Sequence, residues 1–223
     1  MRVSIAPSLL SADFARLADA LAMAEEGGAD LVHVDVMDGR FVPNLTIGPL
    51  VVRALRKATR LPLDVHLMIE RPEATLPAYL DAGANWVSVH VEATDHLQRC
   101  LDLVRRAGAK AGAAINPGTP TLALSAAWAD LDYTVVMSVN PGWGGQPFLE
   151  PSVGKVRALH AEARAAGFRP PIEVDGGVEP GNAGALVAAG AEILVAGTAI
   201  YGADDPARAI GRLRDAALAT VRV

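Results

Sequence analysis

The chain has 223 residues, 51% of them hydrophobic, 4% aromatic, and a formal net charge of −5. This length suits one domain with a large core, while the acidic balance and scarce aromatics argue against nucleic-acid binding and base-stacking platforms. The lone Cys100 excludes an intramolecular disulfide framework, and no apolar run reaches the length of a membrane span.

Met1-Arg2 leads straight into an apolar stretch with no signal-like N-region, so the expectation is a soluble, cytoplasmic protein with no membrane partner. That stretch, 3–6, reads as a first strand, and 13–26 as a helix after a Ser11 N-cap. Strand 31–36 and helix 49–58 follow, then strand 63–66 and helix 72–82, then strand 86–89 and helix 94–107. The second half repeats the alternation: strand 111–115 with a short helix 121–127, strand 133–137 with helix 151–166, strand 172–174 with helix 180–189, and strand 193–196 with helix 206–219. The strand runs are short and apolar on both faces, which suits parallel strands covered by helices. Four times a helical pattern stops at Gly-Ala and a polar residue before a strand: Gly28-Ala29-Asp30, Gly83-Ala84-Asn85, Gly108-Ala109-Lys110 and Gly190-Ala191-Glu192. Glycine there supplies the left-handed residue that ends a helix. Eight such alternations imply an α/β protein, a (β/α)₈ TIM barrel, as a single domain over residues 1–223. A doubly wound sheet normally carries Gly-x-Gly-x-x-Gly after its first strand, whereas here that turn is Pro7-Ser8-Leu9-Leu10.

In such a barrel the loops after the strands carry the chemistry. Ser8, His33, Asp35, His66, Asn116, Asn140 and Asp175 all fall there. His33 and Asp35 are two apart on one strand and so face the same side. His66 comes from the neighbouring strand and Asp175 from across the barrel. Two imidazoles and two carboxylates can hold one divalent ion, with zinc, iron, manganese and cobalt all compatible. A histidine taken singly is more often a satisfied core residue; two with matching carboxylates make that the weaker reading. His90 lacks a partner in this pattern and reads as structural, and His96 and His160 read as helix-surface residues. Asp64, of the same strand parity as His66, reads equally well as an orienter of a ligand or as an ion-pair partner.

Three glycine clusters follow the last three strands: Gly142, Gly144 and Gly145 in Asn140-Pro141-Gly142-Trp143-Gly144-Gly145-Gln146, then Gly176-Gly177, then Gly197-Thr198. Loops in this position, ending in a short extra helix (198–201), form the recurrent phosphate site of the fold. A small phosphorylated substrate is therefore expected. Met37, Met68 and Met137 close three strands; methionine usually fills core gaps, but at this end it suggests an apolar wall near the reacting carbon. Two carboxylates beside a metal that polarises a ketone suggest one reaction. One aspartate removes the α-proton to give an enediolate, the other returns a proton from the opposite face, and the carbon inverts.

The segments Ala6 to Phe14, His33 to Asn44, Asp64-Val65-His66-Leu67-Met68, Val139 to Phe148, Glu173 to Val178 and Ala196 to Tyr201 resemble the ribulose-phosphate 3-epimerase family from end to end. The resemblance implies interconversion of D-ribulose 5-phosphate and D-xylulose 5-phosphate in pentose phosphate metabolism. It implies His33, Asp35, His66 and Asp175 as metal ligands, with Asp35 and Asp175 as the acid/base pair. It further implies Ser8 and His66 near the substrate, Gly144, Gly145, Gly177, Gly197 and Thr198 around its phosphate, and self-association into a homo-oligomer. Trp143 stands where the family commonly has Phe, and Thr198 where it has Ser. The same machinery also suits a phosphorylated hexulose such as allulose 6-phosphate. Decarboxylation or aldol chemistry on related barrels needs a strand-end lysine, and Lys57, Lys110 and Lys155 are not so placed. A non-catalytic sugar-phosphate sensor is disfavoured by retention of every acid, base and ligand.

Overall fold

The computed structural model describes residues 3–219; Met1-Arg2, read above as the lead into the first strand, and residues 220–223 lie outside them. Eight strands alternate with helices: β1 (Ser4–Pro7), β2 (Val32–Met37), β3 (Leu63–Met68), β4 (Trp86–His90), β5 (Lys110–Ile115), β6 (Tyr133–Met137), β7 (Ile172–Asp175) and β8 (Ala191–Ala196). All neighbours pair in parallel in the order β1-β8-β7-β6-β5-β4-β3-β2, and a Ser8–His33 bridge brings β1 beside β2. The result is the (β/α)₈ TIM barrel expected from the alternation.

The helices are α1 (Leu17–Glu26), α2 (Pro49–Ala58), α3 (Leu76–Asp81), α4 (Leu97–Arg106), α5 (Pro151–Ala165), α6 (Pro180–Ala189), the short α7 (Thr198–Tyr201) and α8 (Pro206–Ala219). Three of the expected helices begin differently. The first opens with a 3₁₀ turn, Phe14–Arg16, whose cap is Asp13, with Oδ1 accepting the Ala15 N–H at 3.0 Å. Ser11 does not cap α1; its hydroxyl lies 3.3 Å from that of Thr198. The 72–82 stretch divides into a 3₁₀ turn, Pro72–Ala74, and α3, because Pro77 lacks the N–H that an uninterrupted helix would need and is tolerated only in a first turn. The fourth starts later, at Leu97, after a 3₁₀ turn over Val91–Ala93. The 121–127 helix is a 3₁₀ helix running through Asp130. The four Gly-Ala stops all hold their glycine at positive φ, as anticipated.

Strand alternation sorts the barrel into two layers. Val34, Val36, Val65 and Leu67 belong to the main core between sheet and helices. The alternate residues of β2 and β3 point inward, and pairing sets His33 opposite Asp64, Asp35 opposite His66 and Met37 opposite Met68. Lower in the barrel, Trp86 meets Tyr133 edge-on at 4.9 Å, and the Lys110 ammonium sits 4.5 Å over the Trp86 ring. Gly112 makes room there: a Cβ on it would come within 2.4 Å of the Tyr133 ring. Cys100 is buried on α4, a packing residue as read from its pattern. No helix among the described residues is long and apolar enough to cross a membrane.

Candidate active site

His33, Asp35, His66 and Asp175 converge at the mouth, each offering one ligand atom within 4.8 Å of the others. His33 Nε2 lies 3.4 Å from Asp35 Oδ1 and 3.7 Å from Asp175 Oδ2. His66 Nδ1 lies 3.9 and 3.5 Å from the same two oxygens. Both nitrogens are buried without a hydrogen-bond partner. A buried imidazole nitrogen without a partner is costly unless something else occupies it.

Behind His33, Nδ1 sits 2.7 Å from Asp64 Oδ2, and the other oxygen of Asp64 accepts the Tyr133 hydroxyl at 2.8 Å. Asp64 thus holds the His33 ring by its inner nitrogen, as hydrogen-bond acceptor and ion-pair partner alike. Burial alone would raise the Asp64 pKa, but the His33 charge and its hydrogen bonds outweigh this and hold it below the ordinary value. Glu173, fully buried 3.3 Å from His33 Nδ1, goes the other way: burial, reinforced by the Asp64 charge, pushes its pKa well up. Burial opposes charging His33, yet Asp35 and Asp64 overcome it and raise its pKa well above that of free imidazole. Asp35 resists the effect of burial through His33, His66 and Ser8, whose hydroxyl donates to Oδ2 at 2.6 Å, and its pKa falls. Negative charge dominates the cluster, and it favours a cation.

Above the cluster opens a cavity of about 710 Å³. Its walls include Ser8, Asp35, Asp175, Met37, Met68 and Met137, and also Gly142, Gly144, Gly145, Gly176, Gly177, Gly197 and Thr198. His33 and His66 lie beneath it, wholly buried. Of the other polar residues expected after strands, Asn116 and Asn140 do not face the cavity. Asn116 instead donates its backbone N–H to Glu92 at 2.8 Å, and the Asn140 carbonyl accepts from the Gln146 side chain at 2.7 Å. Asn44 Nδ2 donates to the Gly142 carbonyl at 2.8 Å and ties the loop after β2 to the glycine loop after β6. At Gly177 a Cβ would approach the Phe148 backbone nitrogen to 2.8 Å, so only glycine lets these two loops touch. Gly197 and α7 stand where a terminal-loop phosphate site was expected, with Ser11 beside them.

Sequence reasoning missed four of the surrounding groups: Glu173, Tyr133, Ser11 and His90. His90 is not an isolated structural residue, since its Nε2 lies 2.9 Å from His66 Nε2 and its Nδ1 3.2 Å from Glu92 Oε2. Burial, against the pull of Glu92, lowers the His90 pKa to about 4 and leaves the ring neutral at pH 7. For Glu173 a signal existed: it shares strand parity with Asp175, as His33 does with Asp35.

A buried cluster of histidines and carboxylates under an open, glycine-lined cavity is the layout of a barrel with a candidate active site at its strand C-terminal mouth. The model of the ribulose-phosphate 3 epimerase family matches residues 4–201. A ribulose-phosphate 3-epimerase of Bacillus subtilis is 49% identical over 95% of this chain and 98% of its own. A chloroplastic ribulose-5-phosphate-3-epimerase of Arabidopsis thaliana is 52% identical over 93% of this chain and 75% of its own. The crystal structure of a 3-hexulose-6-phosphate synthase, 23% identical, superposes with a TM-score of 0.69 over 97% of this chain and 99% of that one, and bears on the fold alone. The chain belongs to the ribulose-phosphate 3-epimerase family and is an isomerase of the epimerase class.

Proposed function

We propose that this protein inverts C3 of D-ribulose 5-phosphate to give D-xylulose 5-phosphate, with Asp35 and Asp175 exchanging the proton and one divalent ion held by His33, Asp35, His66 and Asp175. The observation that carries the reading is the pair of partnerless buried nitrogens, His33 Nε2 and His66 Nδ1, facing the two carboxylates that open into the cavity. The gaps of 3.4–3.9 Å between these atoms are short enough for all four residues to reach one ion with bonds of about 2.0–2.2 Å. The donor set therefore fits zinc, iron, manganese or cobalt. When bound, the ion supplies positive charge beside the substrate's carbonyl and neighbouring hydroxyl oxygens, where negative charge builds as the proton leaves.

The remaining work falls to the chain's own residues. One aspartate takes the C3 proton from one face, and the other delivers a proton to the opposite face. Ser8 holds Oδ2 of Asp35 and so fixes which oxygen is turned toward the cluster. Met37, Met68 and Met137 exclude water from the reacting carbon, and a drier site strengthens each charge interaction there. Gly144, Gly145, Gly177, Gly197 and Thr198, with Gly142 and Gly176 shaping the same loops, receive the phosphate on backbone N–H groups. The test is a turnover assay on ribulose 5-phosphate before and after exhaustive chelation. Xylulose 5-phosphate should form, cease to form on chelation, and form again when a divalent ion is returned. Undiminished turnover by verified metal-free protein would overturn the proposal.

A further inference from the structure

His90, the last residue of β4, and Glu92, two residues on, do not line the cavity, yet they complete a line of contacts from the rim to the cluster. Glu92 Oε2 meets His90 Nδ1 at 3.2 Å, His90 Nε2 meets His66 Nε2 at 2.9 Å, and His66 Nδ1 faces Asp175 Oδ2 at 3.5 Å. The two rings are within 15° of parallel with centroids 4.9 Å apart. A nitrogen–nitrogen distance of 2.9 Å is shorter than the roughly 3.5 Å of stacked faces, so the rings meet tip to tip, in the plane of an N–H···N bond.

The direction of that bond is set at the outer end. A carboxylate can only accept, so His90 carries its proton on Nδ1 and presents a lone pair at Nε2. His66 Nε2 must then be the donor, which leaves its Nδ1 bare toward the cluster. Run the other way, the chain would aim an N–H at the site, and an N–H cannot ligate a cation. Glu92 is itself held, because Oε1 accepts the Asn116 backbone N–H at 2.8 Å and the Thr119 hydroxyl. Phe41 packs against the His90 ring with centroids 4.8 Å apart.

We propose that Glu92 and His90 are positioning residues, a two-step relay that fixes His66 as the Nε2–H tautomer and so keeps Nδ1 ready as a ligand. The inference rests on the reading that His66 is one of four cation ligands. His33 gets the same service in one step, from Asp64.

Glu92→Gln is the discriminating variant. The new carbonyl oxygen can keep the Asn116 and Thr119 bonds, which turns the amide NH₂ onto His90 Nδ1 and reverses the relay. A merely structural hydrogen bond would survive this change. The measurements are long-range ¹H–¹⁵N correlation spectra of the histidine rings in metal-free protein at about pH 8, and cobalt(II) affinity by chelator competition. Wild-type protein should show the proton of His66 on Nε2. Glu92→Gln should move it to Nδ1 and weaken cobalt binding by about 10- to 100-fold, with a Tm near wild type. His90→Leu, which removes the acceptor altogether, should weaken binding to a similar degree. If wild-type His66 carries its proton on Nδ1, or both variants keep cobalt affinity within about threefold, the relay is wrong while the cation reading stands. Wild-type protein that takes up no cobalt overturns the cation reading, and this inference with it.

Discussion

Gly108 and Gly177 share a left-handed backbone, φ +80° and +64°, but stand at opposite ends of the barrel and answer to different constraints. Gly108 follows α4 ahead of β5, and a Cβ added to it would meet nothing within 4 Å. Its backbone conformation alone requires glycine, to end a helix. Gly177 follows β7, where a Cβ would come within 2.8 Å of the Phe148 nitrogen and 3.0 Å of the Gln146 carbonyl oxygen. There glycine is needed because two backbones touch, and their contact shapes the cavity wall. At one end glycine serves a helix stop and at the other a contact between loops in the cavity wall, and the same residue type can be told apart by what a methyl group would strike.

Substitutions that separate stability from activity test this division. The largest effect is expected from Asp175→Asn at the mouth: loss of at least about 10²- to 10⁴-fold in epimerisation with the Tm preserved. Near-wild-type turnover in that variant would refute the two-aspartate scheme. Gly177→Ala should raise KM for the phosphorylated substrate by roughly 10- to 100-fold, because displaced loops mis-set the phosphate, while kcat for bound substrate changes less. Steady-state kinetics that show an unchanged KM would remove the phosphate role from that loop. In mid-barrel, Gly112→Ala pushes a methyl into the Tyr133 ring and disturbs the Tyr133–Asp64–His33 line. A stability loss of about 1–3 kcal/mol by denaturant unfolding, together with weaker cation binding, is the expected outcome. Gly108→Ala should cost only about 1–2 kcal/mol for forcing an L-residue into the left-handed region, with kcat/KM within about twofold of wild type. An activity loss beyond that would erase the contrast between the two ends.

The His/Asp cluster was legible in the sequence because polar residues stood at the ends of otherwise apolar runs, two apart or on adjacent strands. That pattern located His33, Asp35, His66 and Asp175 and the glycine loops, and the structure brings all of them to one mouth. The supports were less visible. Tyr133 reads as an apolar strand residue, and only the space left by Gly112 on the next strand lets its hydroxyl reach Asp64. His90 stands isolated in the sequence because its partners, His66 and Glu92, meet it through the adjacent strand and a loop turn rather than a recognisable spacing. Helix starts were blurred for a different reason. A 3₁₀ turn and an α-turn bury apolar residues at nearly the same spacing, so hydrophobic periodicity does not separate Phe14–Arg16 from α1.

The most direct test of the account is to incubate the protein with ribulose 5-phosphate in deuterated water and follow C3 by NMR. Exchange through Asp35 and Asp175 predicts deuterium at C3 of both epimers by equilibrium. Xylulose 5-phosphate formed with its C3 hydrogen unexchanged would contradict it.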